Sequence, residues 1–368
     1  MTIHFRCEKE EIIKALNIVD KAVSAKSAQP ILEGIYISAQ NNEIILKATN
    51  LVLSIETKLF GEVIETGNVV VGARVFHEII SKYSSGMIDF KLEDGNMLKI
   101  SNHHSKAFLN VMEATDFPNI PIVKEENEIT IEEITLKKMI NATIFSAAIS
   151  ESKGVLTGLL FEIENNVLNI VSLDAYRLAF NKKVLDMETA DRKAIIPASS
   201  LREIYKILND TDDIISLYIF ENICFIKTKE TKIFTRLLED DFVKYKSILP
   251  KEYQTKIILK TDDLYSSVER ASILAKSQNE KVIKCNIDDQ TLLITATSEN
   301  GNAAEIVDIY LQGKDIEISF NSKYLIDALR AIETEEISME FNTNISPCVI
   351  KSDTDSSFLY LILPVHPR

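Results

Sequence analysis

Apolar positions along this chain follow two rhythms that take turns. One recurs every three or four residues and marks an amphipathic helix. The other recurs every second residue and marks a strand with one buried face. The helical rhythm is carried by six stripes. They are Ile12, Leu16, Val19 and Val23; Phe76, Ile79, Ile80 and Tyr83; and Met139, Thr143, Ile144 and Ala147. The later three are Leu201, Ile204, Tyr205 and Leu208; Leu264, Val268, Ala271 and Ala275; and Leu325, Leu329 and Ile332. Ser200 with Glu203 has capping-box spacing, and Asp262 and Ser322 are placed to cap two further helices. The strand rhythm shows in Ile35 and Ile37, then Ile44 and Leu46. Turn-forming residues separate later strand pairs at Asp94-Gly95, Glu221-Asn222 and Asn342-Thr343-Asn344.

These elements recur in a fixed order: strand, helix, hairpin. IHFRCEKEEIIKALNIVDKAV followed by ILEGIYISAQNNEIILKATN matches NEITIEEITLKKMINATIFSAAI followed by GVLTGLLFEIENNVLNIVSLD. TKIILKTDDLYSSVERASILA followed by KVIKCNIDDQTLLITATSEN is a third copy. The spacing is roughly 125 residues, which is a duplicated domain and not a solenoid unit. A second, weaker copy sits inside each third: VVVGARVFHEIISKYSSG, AIIPASSLREIYKILND and IEISFNSKYLIDALRAIETEE, each followed by a strand pair. Polar stretches near Lys124–Glu128 and Pro250–Gln254 mark boundaries, each after a similar signature, DFPNIPIV and DFVKYKSILP. The expected domains are 1–125, 126–251 and 252–368. The expected class is α+β, with two helices packed on antiparallel sheet in each domain.

Composition bounds this picture without redirecting it. A chain of 368 residues fits two or three domains, and 46% hydrophobic content supplies their cores. With 10 Gly and 8 Pro, well under the usual ~12%, regular structure should dominate. Cys7, Cys224, Cys285 and Cys348 are scattered and read as small hydrophobes in a reducing compartment. The N-terminal MTIHFRCEKE lacks the apolar region of a signal peptide, and no apolar run approaches the ~20 residues of a membrane span. A cytoplasmic protein is expected.

The net charge of −14 argues against a DNA binder held by a basic surface. The distribution of charge says more than the sum. Lys9, Lys14, Lys21, Arg74, Lys82, Lys137, Lys138, Arg202, Lys206, Arg270, Lys276, Lys323 and Arg330 fall on the polar faces of the six helices. Glu8, Glu10, Glu11, Glu78, Glu203 and Glu269 stand among them. Two readings stay open: ordinary solvated faces, or six homologous helices turned toward one polyanion.

The strings NIVSLDAYRLAF, DFPN, KYKSILP and the C-terminal LYLILPVHPR resemble signature segments of the bacterial sliding clamp family, the beta subunits of replicative DNA polymerase III. The resemblance covers the whole chain. It implies three tandem DNA-clamp domains forming half of a six-domain ring, closed as a head-to-tail homodimer around duplex DNA without sequence preference. It implies an ATP-driven clamp loader as one partner. The polymerase alpha subunit and other proteins carrying a clamp-binding motif would bind a shared peptide pocket, and the ring would be nucleoid-associated.

By the resemblance, Lys26, Arg74 and Lys153 are DNA-binding candidates. The pocket would comprise Leu156, Leu173, Ala175, Tyr176, Arg177 and Leu178, with Val243, Ser247 and Ile248 on the connector. Pro347, Leu361, Ile362 and Leu363 would close it. Ala175, Tyr176, Val243 and Ser247 stand where Gly, His, Pro and Arg are common in the family, and His366-Pro367-Arg368 runs past the usual end. Lys106, Phe108, Ile273 and Leu274 would form the dimer interface. Leu156, Leu178 and Leu361, like the interface candidates, also read as ordinary core positions of their own domains.

An enzyme is the rival class, with Asp174, Tyr176 and Arg177 as an acid–base cluster. Yet the chain carries no G-x-S-x-G, glycine-rich phosphate loop, H-E-x-x-H or paired cysteines. His103-His104 sits in a polar turn segment with no third ligand in view. No catalytic residue, metal or cofactor is expected. A scaffold of the same fold that does not encircle DNA is the remaining alternative.

Overall fold

The computed structural model describes residues 2–41, 43–93, 96–121, 123–275 and 281–365. Lys276, the Asp94-Gly95 turn and the His366-Pro367-Arg368 tail lie outside them. Every strand pairing among the described residues is antiparallel, as the alternating pattern requires. The chain divides into two compact units. One joins the residues up to Ile134 to Arg202–Leu237, and the other joins Thr135–Leu201 to the chain from Leu238 onward.

The first unit is built on a 13-stranded sheet. It runs from Ile129–Glu132 through Ile214–Ile219, Ile223–Lys227 and Thr231–Arg236 to Leu53–Leu59, Glu43–Thr49 and Gly34–Gln40. It continues through Gly67–Gly72, Lys106–Met112, Met97–Ser101, Met87–Glu93, His4–Glu8 and Glu62–Glu65. Helices α1 (Lys9–Val19) and α2 (Ala73–Lys82) lie against each other. Ile12, Leu16 and Val19 of α1 are buried, as are Phe76 and Ile80 of α2. Phe76 meets Phe90 edge-on at 6.1 Å, and Phe90 stacks on Phe5 at 4.6 Å. Lys9 donates from Nζ to the carbonyls of Ser81 and Tyr83, tying the start of α1 to the end of α2.

Helices α3 (Glu133–Ile144) and α4 (Ala198–Ile207) carry the points where the chain passes between units. The second unit holds α5 (Thr261–Ala275) and α6 (Ser322–Arg330). Its nine-stranded sheet has the order Arg192–Pro197, Gly158–Glu164, Val167–Leu173, Arg177–Val184, Phe358–Ile362, Cys348–Lys351, Glu336–Phe341, Thr255–Lys260, Tyr310–Gly313. Its four-stranded sheet has the order Gly301–Asp308, Thr291–Ser298, Val282–Asp288, Ile316–Asn321. One core joins Leu264, Val268, Ala271 and Ala275 of α5 to Leu325 and Leu329 of α6 and to the inner faces of both sheets.

Several sequence expectations shift by a residue or two. Val23 lies past the end of α1, where the backbone tightens over Asp20–Ala22. Ile144 is half-buried, and Leu136 and Ile140 complete the α3 stripe instead. Ser200 is the third residue of α4, Asp262 the second of α5 and Ser322 the first of α6, so none is an N-cap. Asn321 caps α6, its side chain accepting from the Lys323 N–H at 3.0 Å. The cause is common to these helices: each follows its strand without an intervening loop, so the cap falls on the last strand residue.

Candidate functional site

In the strand Arg177–Val184, Leu178 and Phe180 point to one face of the sheet, and Arg177 and Ala179 to the other. The same parity divides Phe358–Ile362. Leu359 and Leu361 share the face of Leu178, while Tyr360 and Ile362 join the opposite core with Ala179. Leu160, Val171 and Leu173 from neighbouring strands extend the first face. Ile195, Leu238, Val155 and Leu156 flank it, and Phe242, Tyr245 and Leu249 of the connector pack on it. The result is an apolar shelf with a connector folded across it.

Two polar devices hold the rims. At one rim the hairpin turn carries Ala175 at φ 82°, a left-handed conformation that favours glycine. Asp174 stabilises it by accepting from the N–H groups of Tyr176 (3.0 Å) and Arg177 (3.1 Å). Arg177 donates from Nε to Asp174 (3.0 Å) and from a terminal nitrogen to Asp327 on α6 (2.7 Å). Its guanidinium lies 4.5 Å from the centre of the Tyr324 ring and 5.6 Å from that of Phe145. Tyr176, 58% exposed, stacks on Tyr324 with centroids 6.2 Å apart. The Leu363 N–H donates to the Tyr176 carbonyl at 2.8 Å, which sets the tail beside the turn.

At the other rim the buried carboxylate of Glu162 anchors the connector. The Tyr245 hydroxyl donates to it at 2.7 Å, and Lys193 and Lys246 approach to 2.9 and 3.3 Å. Burial pushes this carboxyl up, but the hydrogen bonds from Lys193, Tyr245 and Lys246 outweigh it and hold it below the ordinary carboxylate range. Burial and the hydrogen bond to Glu162 both push the Tyr245 phenol well above its ordinary value.

The sequence-derived pocket set therefore divides. Leu156, Leu173, Leu178 and Leu361 come together on the shelf. Val243, Ser247 and Ile248 are exposed on the connector beside it. Ala175, Tyr176 and Leu363 form the rim, and Pro347 is half-buried just before the strand whose Cys348 faces Ile362. Ile362 does not line the shelf: one step from Leu361, the pleat turns it into the opposite core. The Arg177 side chain also lies on the far side, as a strut for the turn. Leu160, Phe180, Glu162, Tyr245, Tyr324 and Asp327 were missed. Parity from Leu178 identifies Phe180, and Glu162 inside the apolar run LLFEI was a signal for a paired buried charge.

Lys26, Arg74 and Lys153 are all exposed. Lys26 follows the Asp20–Ala22 turn, Arg74 is the second residue of α2, and Lys153 lies in the 3-10 helical segment Glu151–Thr157, kinked where Gly154 takes φ 54°. Many helix cations are already paired. Lys14 lies 3.8 Å from Glu230, Lys138 2.7 Å from Glu333, Lys206 2.8 Å from Glu203, Arg270 2.6 Å from Glu305 and Arg330 3.3 Å from Glu269. The helix faces are thus less basic than a count of Lys and Arg implies.

Phe108 is 41% and Ile273 65% exposed, so neither is core of its own unit; Lys106 is exposed too, and Leu274 is half-buried against its own core. His103 and His104 sit in an exposed turn held by Asn102. Among the described residues no group of three or more His, Cys, Asp or Glu side chains is arranged to hold a metal. No described helix is long and apolar enough to cross a membrane.

Three family models match in sequence. The N-terminal, central and C-terminal domains of the DNA polymerase III beta subunit match residues 3–121, 130–244 and 246–366. The beta sliding clamps of Staphylococcus epidermidis and Staphylococcus aureus are each 32% identical over 373 residues, covering 99% of this chain and 99% of theirs. The sliding clamp structure from Bacillus subtilis superposes with a TM-score of 0.97 at 29% identity, covering 100% of both chains. That of the beta chain from Streptococcus pneumoniae gives 0.95 at 29%, covering 99% of this chain and 100% of that one. With all three domains matched in order along nearly its full length, this chain belongs to the DNA polymerase III beta subunit family, the bacterial sliding clamps.

Proposed function

We propose that two copies of this chain close head to tail into a ring of six clamp domains that encircles duplex DNA and slides along it. The observation that carries this is the way the domains join. The strand Leu53–Leu59 of the first domain pairs with Thr231–Arg236 of the second, and Arg177–Val184 of the second pairs with Phe358–Ile362 of the third. The first and second domains each thus offer the last strand of their first half to the last strand of the next domain's second half. Two such strands remain. Gly301–Asp308 is the outermost strand of its sheet, and Lys106–Met112 meets its inner neighbour only at Val111 and Met112, leaving Lys106–Asn110 open. A second copy satisfies both edges, with Lys106, Phe108, Ile273 and Leu274 at the seam. Domain boundaries at 1–125, 126–251 and 252–368 follow the same scheme.

A ring holds DNA by topology, so its lining needs only shallow attraction. Exposed Lys26, Arg74 and Lys153 would contact phosphates, largely through water. Paired helix cations and screening beyond about 8 Å at physiological salt keep the well shallow enough for sliding. The net charge of −14 disfavours DNA on the outer surface. The family supplies processivity to a DNA polymerase and is not itself catalytic.

The apolar shelf, with its rim at Ala175, Tyr176 and Leu363, would take one or two large apolar side chains of an extended peptide. The donors would be the polymerase alpha subunit, the clamp loader and other proteins with such a motif, acting in the cytoplasm at the nucleoid. Two or three anchors supply a gross ~5–8 kcal/mol, and ordering costs several, so micromolar affinity and ready exchange are expected.

The test is retention on DNA. Loaded onto nicked circular duplex, the protein should co-elute with DNA and be lost when the circle is linearised. Equal retention on both forms would overturn encirclement.

A further inference from the structure

A cavity of about 210 Å³ lies in the second unit, on the side of the sheet away from the apolar shelf. Alternation along the paired strands Arg177–Val184 and Phe358–Ile362 sends Leu178, Phe180, Leu359 and Leu361 to the shelf. It sends Asn181, Lys183, Phe358 and Tyr360 the other way, to the cavity. Met139 and Ala142 of α3 close it from above, and Ala331, just past α6, closes it from the side. The small side chains of Ala142 and Ala331 leave the space open.

Two buried polar groups at this cavity lack partners. The Tyr360 hydroxyl is buried and makes no hydrogen bond to a described residue, although its ring is fixed by Phe145 at 5.2 Å and Phe358 at 5.3 Å. Burial pushes this phenol well above its ordinary value, and the carboxylates of Asp355 and Glu333, both at the cavity, push it the same way. Asn181 is 9% exposed, and its amide also bonds to nothing among the described residues. Leaving a buried polar group unpaired is costly, so two of them on one cavity point to a bound molecule.

The charges say which kind. Lys138 and Glu333 neutralise each other across the edge at 2.7 Å. Lys183 and Asp355 remain, and neither has an ion-pair partner among the described residues. Asp355 accepts the Ser357 N–H at 2.8 Å. The cavity therefore presents one unpaired ammonium, one unpaired carboxylate and two unpartnered polar groups beside apolar walls. Its complement is a zwitterion with an apolar side. At ~30 Å³ per water-sized group the space holds about seven such groups, the size of alanine to valine.

We propose that this cavity binds a free α-amino acid with a small apolar side chain. Its carboxylate meets Lys183 and the Asn181 amide, and its ammonium lies between Asp355 and the Tyr360 oxygen. Its side chain packs on Met139, Ala142 and Phe358. Bound there, it ties α3 to both strands of the pair.

Thermal melting of the full-length protein tests this, with L-valine, N-acetyl-L-valine and L-valinamide as probes. The last two each lack one of the required charges. L-Valine should raise the midpoint by about 2–4 °C at roughly five times its Kd, and the rise should saturate. The two analogues should leave the midpoint unchanged. Tyr360→Phe removes an unpartnered hydroxyl and keeps the ring, so it should melt at least as high as the native protein in buffer alone, yet lose most of the response to L-valine. Lys183→Gln and Asp355→Asn, at partly exposed positions, should each weaken apparent affinity at least ~10-fold, as loss of a charged hydrogen bond does. A rise shared by both analogues, or one that grows without saturating and persists in Y360F, is general solute stabilisation and would overturn the site. So would the absence of any rise up to the solubility limit of L-valine.

Discussion

Ala175 is the residue at which this chain and its backbone disagree most visibly. A φ of 82° puts its Cβ in a region that only glycine enters freely. The Asp174 carboxylate and the Arg177 strut hold the turn there regardless. Replacing Ala175 with Gly should therefore raise stability by about 0.5–1 kcal/mol, even though glycine adds freedom to the unfolded chain. A rise in thermal midpoint with unchanged sedimentation is the expected result. Glu162 is a second residue whose surroundings decide its behaviour. Its carboxyl is held below the ordinary range when folded, against about 4.3 when unfolded. A depressed folded value means the charged form contributes stability above ~4.3, and that contribution disappears as pH falls through the folded value. Glu162→Gln should lower the thermal midpoint at pH 7, and the gap to the native protein should close on acidification below about pH 4. A gap that persists to pH 3 would mean Glu162 acts through packing alone. The sequence marked Ala175 as a departure from glycine and passed over Glu162. A turn's φ and a buried carboxylate's partners both depend on residues distant in sequence, such as Asp327 and Tyr245.

At the scale of elements, period decided what could be read and what could not. All six helices were visible because stripes such as Leu264, Val268, Ala271 and Ala275 repeat over several turns. The starts expected for α4, α5 and α6 were misplaced because an abrupt strand-to-helix step puts the cap on a strand residue, as at Asn321. In strands one residue of error reverses the face, which is how Ile362 came to be grouped with Leu361. That parity also says where the tail can be cut. A chain ending at Tyr360 would lose Leu361 and Ile362, which are buried in two different cores. A chain ending at Ile362 keeps both and loses Leu363, whose N–H donates to Tyr176, and Val365, whose N–H donates to Ser319. The shorter tail should dimerise and melt like the native protein but bind a polymerase-tail peptide at least ~10-fold more weakly, since one large apolar side chain is worth ~1.5–3 kcal/mol. Fluorescence anisotropy of a labelled peptide measures it, and unchanged affinity would take Leu363 out of the site.

For the whole molecule, the threefold repeat was legible but the manner of joining was not, because strand partners such as Ile55 and Ile233 share no local signal. Once joined, the two junctions within the chain differ in chemistry at equivalent positions. The shelf residues Val171, Leu178, Phe180, Leu359 and Leu361 correspond to Lys47, Ser54, Glu56, Lys232 and Phe234, where Lys47 and Lys232 lie 2.7 and 3.4 Å from the Glu56 carboxylate. The apolar surface over one junction is thus broken at the other by an ion-pair network beside the buried ring of Phe234, so the two faces differ despite the repeat. The third junction needs a second copy, and Ile273 is the place to test it. Its side chain is 65% exposed, so Ile273→Asp removes no buried contact and should leave the melting profile of the isolated chain intact. Leu274 is the poorer choice, since it packs partly against its own core and a charge there would confound folding with assembly. In the closed ring Ile273 would be desolvated at the seam, and an unpaired carboxylate in its place costs several kcal/mol. Because the substitution appears at both seams of a two-fold ring, the penalty is felt twice. I273D should sediment as a monomer at micromolar concentration with its circular dichroism unchanged, and should slip from circular DNA as readily as from linear. A folded I273D dimer would place the seam elsewhere on the third domain.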